Sequence, residues 1–335
     1  VMATDNGTGN MTDTQAVTVS VNDLNDNAPV VTSGATASID ENAATSTVVY
    51  TATATDADGT SANNAISFSL TGTDAAAFDI DSSTGVVTLK SSADYETKAS
   101  YSFNVMATDN GTGNMTDTQA VTVSVNDLND NAPVVTSGAT ASIDENAATS
   151  TVVYTATATD ADGTSANNAI SFSLTGTDAA AFDIDSSTGV VTLKSSADYE
   201  TKASYSFNVV ATDNGTGNLT DTQAVVVSIN DVNEAPVITS VATGSVDENA
   251  AINTVIYTAT ATDVDANDSL TYSLSGDDAA LLEINSTTGD VTLKSPADFE
   301  TKASYSFSVV VTDNGNLTDT QAVTVSVNDV NEAPL

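Results

Sequence analysis

The chain repeats itself over most of its length. Residues 1–105 recur letter for letter at 105–209, and a diverged copy follows from about Val210. A unit of about 100 residues has the size of a small sandwich domain that buries its own core, whereas the shorter units of solenoids must stack to be stable. We therefore predict whole domains strung in a line: the last strands of a preceding, incomplete repeat at 1–27, then repeats at 28–131, 132–234 and 235–335.

Within each copy, apolar and polar residues alternate with the period of two that is typical of half-buried strands. The predicted core positions are Val152, Tyr154, Ala156 and Ala158 in TVVYTATATD, Tyr205, Phe207, Val209 and Ala211 in YSFNVVATD, and Val121, Val123 and Val125 in AVTVSVND. In FDIDSSTGVVTLK, two short strands flank a turn in which Gly189 suits a positive φ. About seven strands per copy predict an all-β fold of tandem seven-stranded Greek-key β-sandwiches, immunoglobulin-like, in a linear rod.

The composition excludes several classes of partner. The chain has 45 acidic residues against six basic ones, a formal charge of −39, and neither histidine nor cysteine. Nucleic acid requires a basic surface, and an anionic membrane surface would repel this chain. No apolar run approaches about 18 residues, so we predict no membrane insertion. The acidic excess indicates either the solubility of a surface protein or a supply of oxygen ligands for divalent cations.

The composition lacks the residue types on which most catalytic sites depend. Without histidine or cysteine, the common pairs of nucleophile and base cannot be built. Without tryptophan, a glycosidase cleft would lack its usual aromatic walls. We therefore predict that the protein is not an enzyme.

The acidic residues gather where one repeat ends and the next begins. The run VNDLNDNAPV stands at 125–134 and at 21–30, and a shorter form, VNEAP, stands at 232–236 and 330–334. Further motifs precede this linker in a fixed order, which in repeat 1 reads DEN (40–42), DADG (56–59), FDIDSSTG (78–85), ADYE (93–96) and ATDNG (107–111). The order recurs three times, so the linker is the predicted functional element.

These motifs resemble those of tandem cadherin repeats, especially the cadherin-like repeats of large bacterial surface adhesins. The resemblance covers the whole chain and implies about three calcium ions at each complete joint, bound by oxygen atoms from two neighbouring domains. For the joint between repeats 1 and 2 it implies Glu41, Asp94, Glu96, Asn129, Asp130, Asp160, Asp162, Asn167 and Asp213, with the carbonyls of Leu128 and Asn131.

The same resemblance supplies candidate ligands at the other joints. Between repeats 2 and 3 they are Glu145, Asp198, Glu200, Asn233, Glu234, Asp263, Asp265, Asn267 and Asp313, with the carbonyls of Val232 and Ala235. Half joints remain at each end, with Asn25, Asp26, Asn27, Asp56, Asp58, Asn63 and Asp109 before repeat 1, and Glu248, Asp298 and Glu300 below repeat 3. At the second joint Glu234 replaces the linker aspartate, which lengthens that side chain by one methylene.

The resemblance implies a calcium-rigidified extender segment of a bacterial cell-surface adhesin, extracellular, whose main partners are the neighbouring repeats. Two alternatives stay open at this point. One is a calcium-dependent adhesion or carbohydrate-binding module that contacts surface glycan or another copy of the protein. The other is a subunit of a surface layer or filament, which ordered lateral contacts would reveal.

Overall fold

In the computed structural model of the chain, residues 1–266 and 268–332 are described. They form strands joined by turns, and no helix among them is long and apolar enough to cross a membrane. The chain divides into two compact units. One comprises Val1–Ser137, Ala156–Ser173 and Val210–Thr222, and the other comprises the rest of the described residues. Repeat 1 and the linker after it belong to the first unit, whereas repeat 3 and the linker before it belong to the second.

The strands recur in the same order in every copy. Before repeat 1, the chain forms β1 (Met2–Thr4) and β2 (Thr12–Thr14). Repeat 1 contains β3 (Val30–Val31), β4 (Thr36–Asp40), β5 (Val48–Thr51), β6 (Ala54–Thr55), β7 (Ser67–Thr71), a 3₁₀ turn at Ala75–Ala77, β8 (Phe78–Ile80), β9 (Val86–Leu89), β10 (Ser100–Thr108) and β11 (Thr116–Asn126).

Repeats 2 and 3 reproduce this series with small shifts. Repeat 2 contains β12 (Val134–Val135), β13 (Thr140–Asp144), β14 (Val152–Thr155), β15 (Ala158–Thr159), β16 (Ser171–Thr175), a 3₁₀ turn at Ala179–Ala181, β17 (Phe182–Ile184), β18 (Val190–Leu193), β19 (Ser204–Thr212) and β20 (Thr220–Asn230). Repeat 3 contains β21 (Val237–Ile238), β22 (Thr243–Asp247), β23 (Val255–Thr258), β24 (Ala261–Thr262), β25 (Thr271–Ser275), a 3₁₀ turn at Ala279–Leu281, β26 (Leu282–Ile284), β27 (Asp290–Leu293), β28 (Ser304–Thr312) and β29 (Thr318–Asn328).

Seven strands of repeat 1 form two sheets. The four-stranded sheet has the order β4-β11-β10-β7, and the three-stranded sheet has the order β5-β9-β8. Strand β10 pairs antiparallel with β11 over its whole length, from Ser100 opposite Ser124 to Thr108 opposite Thr116. The other strand pairs of repeat 1 are antiparallel, but β4 runs parallel to β11, which brings the end of the domain beside its first long strand. The all-β sandwich prediction is confirmed.

The core of repeat 1 lies between these two sheets. Phe103 is 2 % exposed, and its ring meets Phe78 at a centroid distance of 4.8 Å and Tyr50 at 6.1 Å. Val121 and Val123 extend the same inward row along β11, whereas Thr122 between them faces solvent. The alternation predicted for this strand is therefore confirmed, and burial of such apolar side chains drives the folding of each repeat.

One predicted face is wrong. The pattern in TVVYTATATD places Val152 with Tyr154 in the core, but Val152 is 53 % exposed, and both Val153 and Tyr154 are buried. The register between β14 and β18 shifts between Val152 and Tyr154, as in a β-bulge. A bulge inserts one extra residue into a strand and changes which side chains point inward.

Gly85, at the turn between β8 and β9, is a position that only glycine fits. Its φ is +70°, and a Cβ added there would lie 2.3 Å from the carbonyl oxygen of Ala52. Gly189, the predicted turn glycine of repeat 2, has φ +71°.

We expect Gly85→Ala to destabilise repeat 1, because the left-handed backbone alone costs an L-residue about 1–2 kcal/mol and the Cβ overlap adds to this cost. Thermal unfolding followed by circular dichroism measures the effect. Gly34→Ala is the matched control, since a Cβ there meets nothing within 4 Å. Equal unfolding midpoints for the two variants would contradict this account of the turn.

Candidate metal centres at the domain joints

Glu41 anchors the first complete joint. This residue is 2 % exposed although its side chain ends in a carboxyl group. Oε2 accepts a hydrogen bond from the backbone N–H of Tyr95 at 2.8 Å, and Oε1 accepts one from Leu128 at 2.6 Å. A buried carboxylate needs such partners. These two bonds tie the end of β4 to the ADYE turn and to the linker, so the lower half of the joint is fixed by the fold of repeat 1.

Carboxylate oxygens converge beside this anchor. Glu41, Glu96 and Asp130 each offer one oxygen, and these oxygens lie within 4.8 Å of one another. A second group with the same spacing contains Glu96, Asp127 and Asp162. The two groups share Glu96, and they join residues of repeat 1 and the linker with a residue of repeat 2.

The charges in this cluster oppose one another. Although Glu96 is more exposed than Glu41, the loss of water around its carboxylate, together with the nearby charges of Glu41, Asp130 and Asp127, raises its pKa to about 7. Desolvation also raises the pKa of Asp130, with added repulsion from Glu41 and Asp162. Raised carboxyl pKa values show that the ionised cluster lacks a compensating positive charge among the protein groups.

The upper half of the joint comes from repeat 2. Asn131 donates its backbone N–H and its Nδ2 to Asp162 Oδ1, at 3.2 and 2.9 Å. Asn129 donates Nδ2 to Asp213 Oδ2 at 3.1 Å. Asp162 and Asp213 are 2 % and 3 % exposed. The linker amides therefore contact two buried aspartates of repeat 2, and one of them, Asp162, lies in the carboxylate group with Glu96.

Several buried oxygens at the joints have no hydrogen-bond partner in the part of the chain that the structure describes. An unpaired buried polar atom is costly, and the groups of this kind are concentrated at the predicted ligands. They are Oδ1 of Asn25 and Asn129, Oδ2 of Asp56, Asp58, Asp160, Asp162 and Asp263, Oε2 of Glu234, Oδ1 of Asp265 and Oδ2 of Asp268.

The second complete joint has the same plan. Glu145 accepts hydrogen bonds from the backbone N–H groups of Tyr199 at 2.7 Å and Val232 at 2.8 Å. Carboxylate groups form from Glu145, Glu200 and Asp231, and from Glu200, Glu234 and Asp265. Asn233 donates Nδ2 to Asp313 Oδ2 at 2.9 Å, as Asn129 does to Asp213.

At each end of the chain, residues of the half joint also contact one another. Below repeat 3, Glu248 accepts hydrogen bonds from Phe299 and Val330, and it gathers with Glu300 and Glu332. Before repeat 1, Asn25 donates to Asp109, and Asn27 donates to both Asp26 and Asp58.

Some predicted ligands also form hydrogen bonds within the protein. Asp94, Asp198 and Asp298 accept hydrogen bonds from the N–H and hydroxyl of the threonine three residues later, within their own turn. The amides of Asn63 and Asn167 donate to linker aspartates. The carbonyl of Leu128 accepts the N–H of Asp130 at 3.1 Å. Asn267 lies outside the described residues.

Several residues that contact the joint ligands are not among the predicted ligands. Asn42 has φ +58° and donates its side-chain amide to Asp130, and Asn146 and Asn249 make the same bond to Glu234 and Glu332. The repeated Asp-Glu-Asn motif could have indicated this role, because asparagine tolerates positive φ. Asp127 and Asp231 join the carboxylate groups, and their place at the start of the linker motif is the signal that sequence reasoning missed.

The donor set suits a hard divalent cation. Every converging side-chain ligand presents oxygen, and the chain contains no histidine or cysteine that would favour zinc or copper. Buried oxygens without partners stand where positive charge would satisfy them. The residues present therefore fit calcium.

Gly215 makes room for the linker at the first joint. A Cβ there would lie 2.1 Å from Asn129 Oδ1 and 2.6 Å from Asn129 Cβ. We expect Gly215→Ala to displace Asn129 and to weaken cation affinity at this joint about 10- to 100-fold, as is typical when the groups that orient ligands are lost. Calorimetric titration with calcium measures the change. Gly138→Ala, where a Cβ meets nothing within 4 Å, is the control, and equal affinities would contradict the packing argument.

Comparison with known proteins gives a consistent result. The cadherin domain family matches residues 35–126, 139–230 and 242–328. The chain is 34 % identical over 261 residues to the mouse Cadherin EGF LAG seven-pass G-type receptor 2, covering 76 % of this chain and 9 % of that receptor. It is 31 % identical over 261 residues to Protein dachsous of Drosophila melanogaster, covering 75 % of this chain and 8 % of that protein. The chain thus spans less than a tenth of these relatives.

Solved structures show the same architecture. The crystal structure of mouse Cadherin-23 EC22-24 matches with a TM-score of 0.64 at 29 % identity, covering 91 % of this chain and all of that chain. Protocadherin gamma B3 EC1-4 matches with a TM-score of 0.73 at 25 % identity, covering 92 % of this chain and 77 % of that chain.

Proposed function

Because the chain belongs to the cadherin family, a family of adhesion receptors without enzymatic activity, we propose that it is a calcium-stiffened extender segment of a cell-surface adhesion protein. Cadherin domains generally bind calcium at their interdomain linkers. The observation that carries the proposal is the convergence of Glu41, Glu96, Asp130, Asp127 and Asp162 at one joint. Among the described residues, the buried Oδ2 of Asp162 has no hydrogen-bond partner.

Calcium would supply the positive charge that these carboxylates lack. Glu41, Glu96 and Asp130 would bind it from below, with Asp162 from above, and Asn129 would orient Asp213 toward the same joint. Without cation, carboxylates at short separation repel by about 1 kcal/mol or more per pair, even at a surface-like dielectric. The joint would then open, whereas shared ions would tie the two domain ends together.

The repetition of the chain favours a spacer. Repeats 1 and 2 are almost identical, so a longer arm needs only more copies, and no single copy needs its own binding surface. We propose an extracellular location, since cadherin domains of cell-surface receptors are extracellular. The relatives named above are animal proteins, and the bacterial origin suggested by the sequence stays a prediction.

The number of calcium ions bound at each joint tests this proposal. Equilibrium dialysis with metal analysis should give about three calcium ions for each of the two complete joints, in the micromolar to millimolar range that is typical of extracellular modules. Calcium should also raise the unfolding temperature, because a ligand of the folded state stabilises it by mass action. Absence of calcium binding at millimolar concentration would contradict the proposal.

A further inference from the structure

The loop that joins the two long strands of repeats 1 and 2 contains an asparagine followed by a glycine. The letters ATDNGTGN stand at 3–10, 107–114 and 211–218, which places the pair at Asn6-Gly7, Asn110-Gly111 and Asn214-Gly215. In such a pair, the backbone nitrogen of the glycine can attack the side-chain carbonyl carbon of the asparagine, because glycine has no side chain to hinder the approach. The three copies therefore carry the same reactive pair in the same local sequence.

The reaction of this pair replaces an amide by a carboxyl group and consumes only water. The glycine nitrogen loses its proton and forms a bond to Cγ, the bond between Cγ and Nδ2 breaks, and ammonia leaves. Water then opens the cyclic imide at either of its carbonyl groups. The product is aspartate or isoaspartate, and in isoaspartate the main chain is longer by a carbon atom.

In repeat 2, the side chain of Asn214 is held at both of its polar atoms. Oδ1 accepts the backbone N–H of Ala169 at 2.9 Å, and Nδ2 donates to the carbonyl of Ser165 at 3.0 Å. We call this pair of hydrogen bonds the amide clamp. Because Nδ2 is the atom that leaves during deamidation, the reaction cannot be completed until its bond to Ser165 is broken.

The amide clamp is present in one of the two other copies. Asn110 makes the same pair of bonds in repeat 1, to the N–H of Ala65 at 2.9 Å and to the carbonyl of Ser61 at 3.1 Å. Asn6 makes no side-chain hydrogen bond to any described residue. The attacking nitrogen is alike in all three copies, since each glycine N–H donates to the aspartate two residues before it at 3.1 Å. Asn6 is therefore an unclamped reference within the same chain.

The loop that contains Asn214 also supports the first complete joint. A Cβ on Gly215 would lie 2.1 Å from Oδ1 of Asn129, so the linker packs against this backbone. The amide clamp connects the same loop to the turn that follows Asp162. A carboxylate at position 214 would meet the carbonyl of Ser165 as a second acceptor, so this bond would be lost. Isoaspartate would also displace Gly215 from Asn129.

We propose that Asn110 and Asn214 are deamidation sites, which the amide clamp keeps unreacted while the upper turns of their repeat stay closed and which loss of the cation releases. The release rests on the proposed function, because without calcium the carboxylates of Asp162 and Asp213 lack a compensating charge and repel their neighbours. Reaction at Asn214 would then make a temporary opening of the first joint permanent.

The reaction can be followed at each site in the full chain. Cleavage after lysine places Asn6, Asn110 and Asn214 in the separate peptides 1–90, 99–194 and 203–294. Mass spectrometry with fragmentation then locates the mass change at each asparagine after incubation at neutral pH, in calcium and in chelator.

In calcium, we expect Asn6 to convert at least about tenfold faster than Asn110 and Asn214, because two hydrogen bonds hold each clamped side chain. A tenfold ratio corresponds to about 1.4 kcal/mol. In chelator, the two clamped sites should accelerate toward the rate of Asn6, while Asn6 itself should keep its rate.

The consequence for the joint is tested by placing the product in the chain directly. Asn214→Asp should weaken cation affinity at the first complete joint about tenfold relative to Asn218→Asp, measured by calorimetric titration with calcium, because the clamp orients a turn that carries ligands. Asn218 is exposed in the same loop and makes no side-chain hydrogen bond to a described residue. This control therefore adds the same charge without breaking a bond. Equal affinities of the two variants would overturn the claim that reaction at Asn214 opens the joint.

The outcomes distinguish this inference from the proposed function. Equal rates at Asn6, Asn110 and Asn214 in calcium would overturn the clamp, whatever the number of ions bound. If the clamped sites react equally slowly in calcium and chelator while dialysis shows bound calcium, release by cation loss is overturned and the proposed function stands. If dialysis shows no bound calcium, the proposed function fails, and slow reaction of the clamped sites still supports the clamp.

Discussion

Replacing Asp130 and Asp162 together by alanine should strongly weaken cation binding at the first complete joint while the sandwiches stay folded. Asp130 contributes to the oxygen group with Glu41 and Glu96, and Asp162 to the group with Glu96 and Asp127. Loss of even outer-shell partners weakens metal sites about 10- to 100-fold, so loss of two ligands should weaken this one by at least about 100-fold. Folding should survive, because neither carboxylate belongs to the apolar core.

Calcium titration by calorimetry measures the loss of cation binding. Thermal unfolding in chelator shows whether the sandwiches stay folded. Asp79→Ala with Asp183→Ala removes the same charge from exposed positions, where each aspartate lies 3.6 Å from a lysine, and exposed ion pairs of this kind contribute little. The control should bind as many ions as the unmodified chain. A joint variant that keeps its full number of ions would show that the ligands are assigned wrongly.

The second large effect concerns the core. Phe103→Ala should destabilise repeat 1 by about 3–5 kcal/mol, the usual cost of removing a buried aromatic ring. Phe103 is 2 % exposed and packs against both Phe78 and Tyr50. At about 4–8 °C per kcal/mol for a domain of this size, the unfolding temperature of that repeat should fall by more than about 12 °C.

Scanning calorimetry should then show one early transition, because the substitution leaves repeats 2 and 3 intact. Val48→Ala removes apolar atoms from a side chain that is 54 % exposed, and its effect should stay within about 0.5 kcal/mol. A uniform shift of every transition in the Phe103 variant would contradict the view that each repeat buries its own core.

The sequence predicted best those features that depend on local alternation. Val121, Val123 and Val125 lie inward as expected, because the alternation of β11 is unbroken there and one of its faces is solvated. Gly189 adopts positive φ, as the turn signal of the short hairpin predicted. The bulge at Val153 was not predictable, since an inserted residue preserves the composition of the strand while it reverses the alternation.

The candidate site also contains residues that the sequence predicted and residues that it missed. Motif order placed Glu41, Asp130 and Asp162 among the predicted ligands, because each belongs to a motif that recurs in a fixed order between strands. It missed Asn42 and Asp127, whose roles depend on hydrogen bonds to residues far away in the sequence. Such bonds arise only after the sandwich brings the DEN turn, the linker and the next repeat together.

Small-angle X-ray scattering of the intact chain tests the central claim most directly. In millimolar calcium, the joints should be locked, and the scattering profile should correspond to a single arrangement of the repeats. In chelator, repulsion among the freed carboxylates should let the joints bend, so that the maximum dimension changes and the Kratky profile shows added flexibility. An identical maximum dimension and profile in both conditions would contradict the proposal that calcium stiffens this segment.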